Sequence, residues 1–310
     1  DHKVAGIPVF PAAAYVEALL AVAREIHPGG GIELREMDIV RPLVFDGHTT
    51  FETLLRVSPE TGVTEFLSRP RGGSADWATN ARAIIARLPA IDEHLPQPAA
   101  VGNVFVPKAK VYEVSRNLGF AYGSSFQRIH HVSFPEPKRA IAALEQSPAL
   151  FADAIIDLTA LDAAFHALFA SEEAGVADMP MKQMLPVRFA RVRVFAAGCP
   201  ATQAVARTIR QSLSSIVTDI ELRDDTGRVL VLAEAVRLIE APSATAVDSH
   251  SLTYRSTTWA LNRAGKPSKL FLRADAVGAG DSPRLEHAEE LGEALLLIEA
   301  GCLRATWSAF

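Results

Sequence analysis

The chain is 310 residues long, 49% hydrophobic and 22% charged; that is ordinary globular material, enough for about two packed units of ~100–200 residues each. Its formal charge of −5, with Lys and Arg scattered and no basic stripe interleaved with aromatics, argues against a nucleic-acid partner. Two distant cysteines without a CxxC partner, Cys199 and Cys302, fit a reducing cytoplasm, and no apolar run reaches the ~18 residues of a membrane span.

In chain order, Pro11 is placed to open a helix as its first residue, where its missing N–H costs nothing. Val16, Leu19, Leu20, Ala23 and Ile26 follow at helical spacing, and Pro28-Gly29-Gly30-Gly31 ends the run. Four strand-like segments come next, near 32–43, 49–58, 63–70 and 76–88. Thr50, Phe51, Thr53 and Val57 supply the β-branched and aromatic enrichment of a sheet. Residues 91–106, with Pro96, Pro98 and Gly102, read as a linker between a first half (1–90) and a second (107–241). A short helix near 107–118 precedes Gly119. The second half repeats the plan, with a helix near 157–171 carrying Leu161, Phe165, Leu168 and Phe169 on one stripe. Strands are predicted near 186–195, 202–213, 215–224 and 228–240, and Asp224-Asp225-Thr226-Gly227 marks a hairpin turn. A long apolar helix followed by antiparallel strands, made twice, predicts an α+β fold in which each sheet wraps a buried helix. Residues 242–310 read as a polar linker and a tail, with a helix near 285–300. The chain reads as a piece of a longer polypeptide.

Four segments could carry chemistry. His2 lies upstream of the first helix, with Gly6 and Pro11 following. Imidazole titrates near neutrality and suits a general base, and helix N-terminal amides can hold a developing negative oxygen. A surface histidine beside a turn would give the same spacing. Asp162 and His166 lie four apart, so they share a helix face beside the apolar stripe. A carboxyl group at such an edge tends to a raised pKa and can act as a general acid; a simple Asp–His surface pair is the alternative. Asp157 is a weaker rival, since it points away from Asp162. Gly119-Phe120-Ala121-Tyr122-Gly123-Ser124-Ser125-Phe126 brackets aromatics between glycines, as a packed turn also would. Leu185-Pro186-Val187-Arg188-Phe189 enters a strand. His130 and His131 would point to opposite faces of a strand, against a two-histidine metal site. Gly278-Ala279-Gly280 lacks the setting of a nucleotide site, and no G-x-S-x-G elbow is present.

Taken in order, these segments resemble the dehydratase domains of polyketide synthases over residues 1–241. HxxxGxxxxP is matched by His2, Gly6 and Pro11; GYxYGPxF by Gly119, Tyr122, Gly123 and Phe126; Dxxx(Q/H) by Asp162 and His166; an LPFxW/F-like strand entry by Leu185, Pro186 and Phe189. Phe120, Ser124, Val187 and the pair Asp157-Leu158 depart from the family pattern. The resemblance implies a double hot dog and a hydro-lyase acting on a β-hydroxyacyl thioester. His2 would be the general base, Asp162 the general acid, His166 the orienting residue and Tyr122 a supporting one. Gly6, Val9, Pro11, Phe120, Gly123, Phe126, Leu185 and Pro186 would line the substrate site, with amides near Gly6 stabilising the enolate-like oxygen and an apolar tunnel between the halves. It implies no metal and no cofactor, the substrate riding on the phosphopantetheine of an acyl carrier protein. Neighbouring synthase domains and a second copy of the chain are the other implied partners. An oxygen-heterocycle cyclase, a double-bond isomerase or a catalytically silent docking domain would share the same pattern.

Overall fold

A computed structural model describes residues 2–72, 76–88, 104–147 and 153–241, together with two short strands at 272–273 and 294–297. The chain opens with β1 (His2–Val4) and β2 (Ile7–Pro8), then helix α1 (Ala12–Ile26). The strands β3 (Ile32–Ile39), β4 (Phe51–Val57), β5 (Val63–Pro70) and β6 (Ala78–Arg87) follow. The second half comprises β7 (Val104–Pro107), α2 (Lys108–Asn117), β8 (Phe120–Tyr122), a 3-10 turn at Ser124–Phe126, β9 (Ile129–Glu136), β10 (Arg139–Leu144) and α3 (Leu158–Glu173). It ends with β11 (Met184–Val194), β12 (Gln203–Gln211), β13 (Ser215–Arg223) and β14 (Val229–Glu240); β15 (Leu272–Arg273) and β16 (Ala294–Leu297) come last.

One long sheet runs β15-β16-β4-β5-β6-β3-β11-β14-β13-β12-β10-β9-β7. The predicted halves share it through the antiparallel pair β3–β11, where Ile32 faces Val194 and Asp38 faces Arg188. Ion pairs reinforce that seam, with Arg188 binding Asp38 and Glu36 and Arg191 binding Glu33. The first half of the sheet wraps α1 and the second wraps α3, and the two helices pack on each other. From Leu158 to Ala170 every residue of α3 is buried, as expected of a helix that is apolar almost all round. Ala160, Ala163, Ala164 and Ala167 keep its girth small between sheet and neighbouring helices.

The structure departs from the expected pattern at several points. Pro11 stands at the N-cap of α1, one residue ahead of the helix, because its extended backbone turns the chain in from β2. β7 begins inside the segment read as a linker, and β9 and β10 join the second half of the sheet ahead of its long helix. His130 is an extra residue in β9: Ile129 and His131 face the consecutive residues Leu144 and Ala143. Such a bulge breaks the alternation of side chains. The two imidazoles therefore meet, Nδ1 to Nδ1 at 2.9 Å, instead of pointing apart. In the tail, residues 294–297 pair antiparallel with β4, so that part of the expected 285–300 helix is a strand; the rest lies outside the described residues, as does Gly278-Ala279-Gly280. Among the described residues, no helix is long and apolar enough to cross a membrane.

Candidate active site

His2 reaches the second half through a small, separate sheet of order β2-β1-β8. Ala5 and Gly6 form the two-residue turn between β1 and β2, both with positive φ (49° and 80°), the backbone of a type I′ hairpin. The Ala5 amide donates to the Gly119 carbonyl at 2.7 Å, which fastens the hairpin to the loop ahead of β8. In the resulting register His2 lies opposite Tyr122 and Val4 opposite Phe120. Strand alternation turns His2 and Val4 inward and Lys3 outward.

Asp162 and His166 come to the same place on α3. Its N-cap, Asp157, accepts from the Ala160 amide at 3.1 Å and pairs with the guanidinium of the buried Arg128 at 3.0 Å. Asp157 is thus a structural cap and counter-ion, not a rival acid. Five residues on, the Asp162 Oδ2 lies 3.6 Å from His2 Nε2 and 2.9 Å from His166 Nε2. Asp162 is 3% exposed, His2 8% and His166 0%. The approach of His166 is short, though its geometry falls outside that of a well-formed hydrogen bond. His2 Nδ1, Asp162 Oδ2 and both ring nitrogens of His166 are buried polar atoms with no hydrogen-bond partner. Native interiors hold few such atoms, and each calls for an explanation. Here they converge in one cluster.

Aromatic rings wall the cluster. Tyr122 lies over His166 with centroids 3.8 Å apart, and the edge of Phe126 meets His2 at 5.4 Å. Phe120 stacks between Tyr122 and Phe169, at 5.8 and 5.0 Å. Gly123 caps the 3-10 turn that delivers Phe126. Phe120 and Phe126 are buried and serve as packing walls. Val9 and Pro11 lie between β2 and α1, with Val9 bridged to Val44. Leu185 and Pro186 sit in β11, paired with Ile239 and Leu238. Gly6 is exposed in the hairpin turn and separated from α1 by β2, so the expectation of Gly6 amides at the helix N-terminus is not met; the hairpin register consumes those residues before the helix begins.

Burial also shapes the charges. It pushes the His2 imidazole below its ordinary value, overcoming the upward pull of Asp162, so the ring favours its neutral, proton-accepting form. Burial pushes the Asp162 carboxyl up, but its interactions with the His2 and His166 imidazoles hold it below the usual carboxylate range. The expectation of a raised carboxyl, founded on apolar surroundings alone, is therefore overturned by the two imidazoles. With the His2 ring neutral its downward pull lapses, while burial continues to favour the acid form of Asp162. His2 and Asp162 are close enough for their protonation to be coupled. The Tyr122 hydroxyl is driven well up by burial and by Asp162, so it stays protonated.

Three supporting residues carry no signal in the sequence. Tyr112 of α2 accepts from the Ile129 amide at 3.1 Å and donates to the Phe126 carbonyl at 3.3 Å, bracing the 3-10 turn. Arg128 anchors Asp157. Glu17 of α1 accepts from the amides of Ile155 and Ile156. A lone tyrosine, arginine or glutamate in an ordinary segment has no spacing that announces a backbone partner.

Residues 91–246 match the family model described as polyketide synthase dehydratase N-terminal domain, and residues 1–68 match that of the polyketide synthase dehydratase domain. The chain is 25% identical over 298 residues to the hybrid PKS-NRPS synthetase pyvA of Aspergillus violaceofuscus, covering 84% of this chain and 8% of that protein. It is 28% identical over 240 residues to the mycoketide-CoA synthase of Mycobacterium tuberculosis, covering 73% of this chain and 5% of that one. It thus spans only a small fraction of the length of these curated relatives. A trans-AT polyketide synthase dehydratase domain from Brevibacillus brevis superposes with a TM-score of 0.66 at 19% identity, over 78% of this chain and 89% of that one, which places the fold among the double hot dogs. With its ordered motifs, its two helix-wrapping half-sheets and these matches, the chain belongs to the polyketide synthase dehydratase domain family.

Proposed function

We propose that this domain eliminates water from a β-hydroxyacyl thioester presented by an acyl carrier protein, with His2 as base and Asp162 as acid. The observation that carries the reading is the 3.6 Å approach of His2 Nε2 and Asp162 Oδ2, from the two halves of the chain, inside a buried cluster of polar atoms without partners. An α-proton is weakly acidic and hydroxide leaves poorly; a base and an acid placed together address both difficulties.

In the proposed step, neutral His2 takes the α-proton as the Cα–H bond breaks. The electron pair becomes the new Cα–Cβ double bond, and the Cβ–O bond breaks as Asp162, in the acid form that burial favours once the His2 ring is neutral, delivers its proton to the departing hydroxyl. Water leaves; imidazolium and carboxylate remain, and the proton returns across the short gap from Nε2 to Oδ2. With base and acid only 3.6 Å apart, the reading has hydrogen and hydroxyl leaving from the same face of the substrate. His166 and Tyr122 hold the carboxyl and the ring in place through the contacts described above. The reading extends to neighbouring synthase domains, which the multidomain relatives carry, and to a second copy of the chain as partners.

The test is product analysis with both enantiomers of a 3-hydroxyacyl thioester by mass spectrometry and NMR. Formation of the enoyl thioester from one enantiomer supports the reading. Recovery of the precursor mass as a heterocycle, a shifted double bond alone, or no turnover by folded protein overturns it.

A further inference from the structure

Glu17 stands in the middle of α1 and faces inward, only 9% exposed. A buried carboxyl group is costly unless its oxygens are bonded. Both are: one accepts from the Ile155 amide at 2.7 Å, the other from the Ile156 amide at 2.9 Å. Those donors lie 138 and 139 positions along the chain, immediately ahead of Asp157, the N-cap of α3. Lying outside the helix, the two amides take their acceptor from another element. Further along the same helix, Arg24 donates to the Asp153 carbonyl at 3.0 Å. On its other side the approach segment is held by the Gly198 amide, which donates to the Ile155 carbonyl at 3.0 Å. Ile155 and Ile156 are themselves buried.

We propose that Glu17 is a positioning residue: by gripping the amides of Ile155 and Ile156 it fixes where α3 begins and so how closely Asp162 approaches His2. The inference rests on the acid–base reading above. Asp157 and Asp162 are joined by unbroken helix, which rises about 1.5 Å per residue and has no joint to absorb a shift. A displacement at the start of α3 therefore arrives at the Asp162 carboxyl. His2 is not carried with it, since its register is set by β1 against β8. The gap between acid and base thus depends on a contact made by neither.

Above pH ~7, where Glu17 is ionised, its carboxylate offers an acceptor on each oxygen, whereas a carboxamide offers one and would turn an N–H toward the second amide. The experiment compares Glu17→Gln and Glu17→Ala with the parent chain, using a 3-hydroxyacyl thioester under conditions where circular dichroism finds each fully folded. Misplacement of a reacting group by ~1 Å can cost ~100-fold. Glu17→Ala is expected to lower kcat at least ~10-fold with KM within about twofold, and to shift the limbs of the pH profile of kcat. Glu17→Gln, keeping one bond, falls between. Should Glu17→Ala not fold, the isosteric Glu17→Gln decides alone. Parent kcat in a folded variant, or a loss confined to KM, overturns the proposal. Asp162→Asn is run beside them: its activity at the parent rate would instead overturn the acid–base reading itself.

Discussion

Asp157 is the residue whose removal tests the architecture of the site most severely without touching the proposed chemistry. Its carboxylate performs two tasks, capping α3 through the Ala160 amide and neutralising Arg128, whose guanidinium lies 3.0 and 3.2 Å from the two oxygens. Arg128 is 3% exposed, so its charge cannot turn to solvent. Breaking a buried pair by removing one partner costs about 3–5 kcal/mol, because the survivor's charge is left uncompensated. Arg128 keeps its bond to the Glu145 carbonyl, which argues for the lower end, about 3 kcal/mol for Asp157→Asn. Asparagine still caps; alanine does not, and a lost cap adds about 1 kcal/mol. Asp157→Ala should therefore cost about 4 kcal/mol. Urea denaturation at neutral pH, extrapolated linearly, measures both. If Asp157→Ala lies within about 1 kcal/mol of the parent, the buried pair does not hold α3 as argued. If the two variants coincide, the cap contributes nothing.

Ala5 has a φ of 49°, left-handed backbone that disfavours a Cβ by roughly 1–2 kcal/mol. Ala5→Gly should stabilise the chain by up to about 1 kcal/mol, read as a higher Tm; a lower Tm contradicts the assigned turn. Glu17 is pushed by burial from 4.5 to about 7, against the pull of the Ile155 and Ile156 amides. A native state that holds the proton more tightly than the unfolded one gains stability below the ordinary value and loses it as the pH climbs through about 7. The stability of the parent relative to Glu17→Gln should accordingly fall by up to ~3 kcal/mol between pH 4.5 and 7. A difference flat across that window contradicts the burial of a titrating carboxyl.

The long elements were the legible part of this chain, for a physical reason. Leu161, Phe165, Leu168 and Phe169 repeat at the helical period, and the predicted strands near 63–70, 215–224 and 228–240 fall within a residue or so of β5, β13 and β14. Periodicity reports local burial, and these segments bury one face or the whole of their length. β1 and β8 are three residues each, too short for any period. The pairing of His2 with Tyr122 rests on a register between segments 120 residues apart in sequence, which only tertiary structure sets. The motifs could name His2, Asp162, His166 and Tyr122 but not the distances among them. Nor could they reveal the charge balance, since the direction in which Asp162 shifts depends on two imidazoles and not on its apolar helix. Glu17 interrupts an apolar run and reads as polar punctuation; its partners are backbone amides, which any sequence possesses. The bulge at His130 defeats strand alternation in the same way, through one unpaired residue that no residue type signals.

Groups that act as one unit show grossly non-additive losses when removed, and this sets the decisive measurement for the pairing of base and acid. kcat/KM is determined for His2→Ala, Asp162→Asn and the double variant, each verified as folded, on a single 3-hydroxyacyl thioester. Each single change should lower the value at least ~100-fold, and the double should fall little further than the worse of the two. Losses that multiply, or a folded Asp162→Asn chain working at the parent rate, would contradict the shared site.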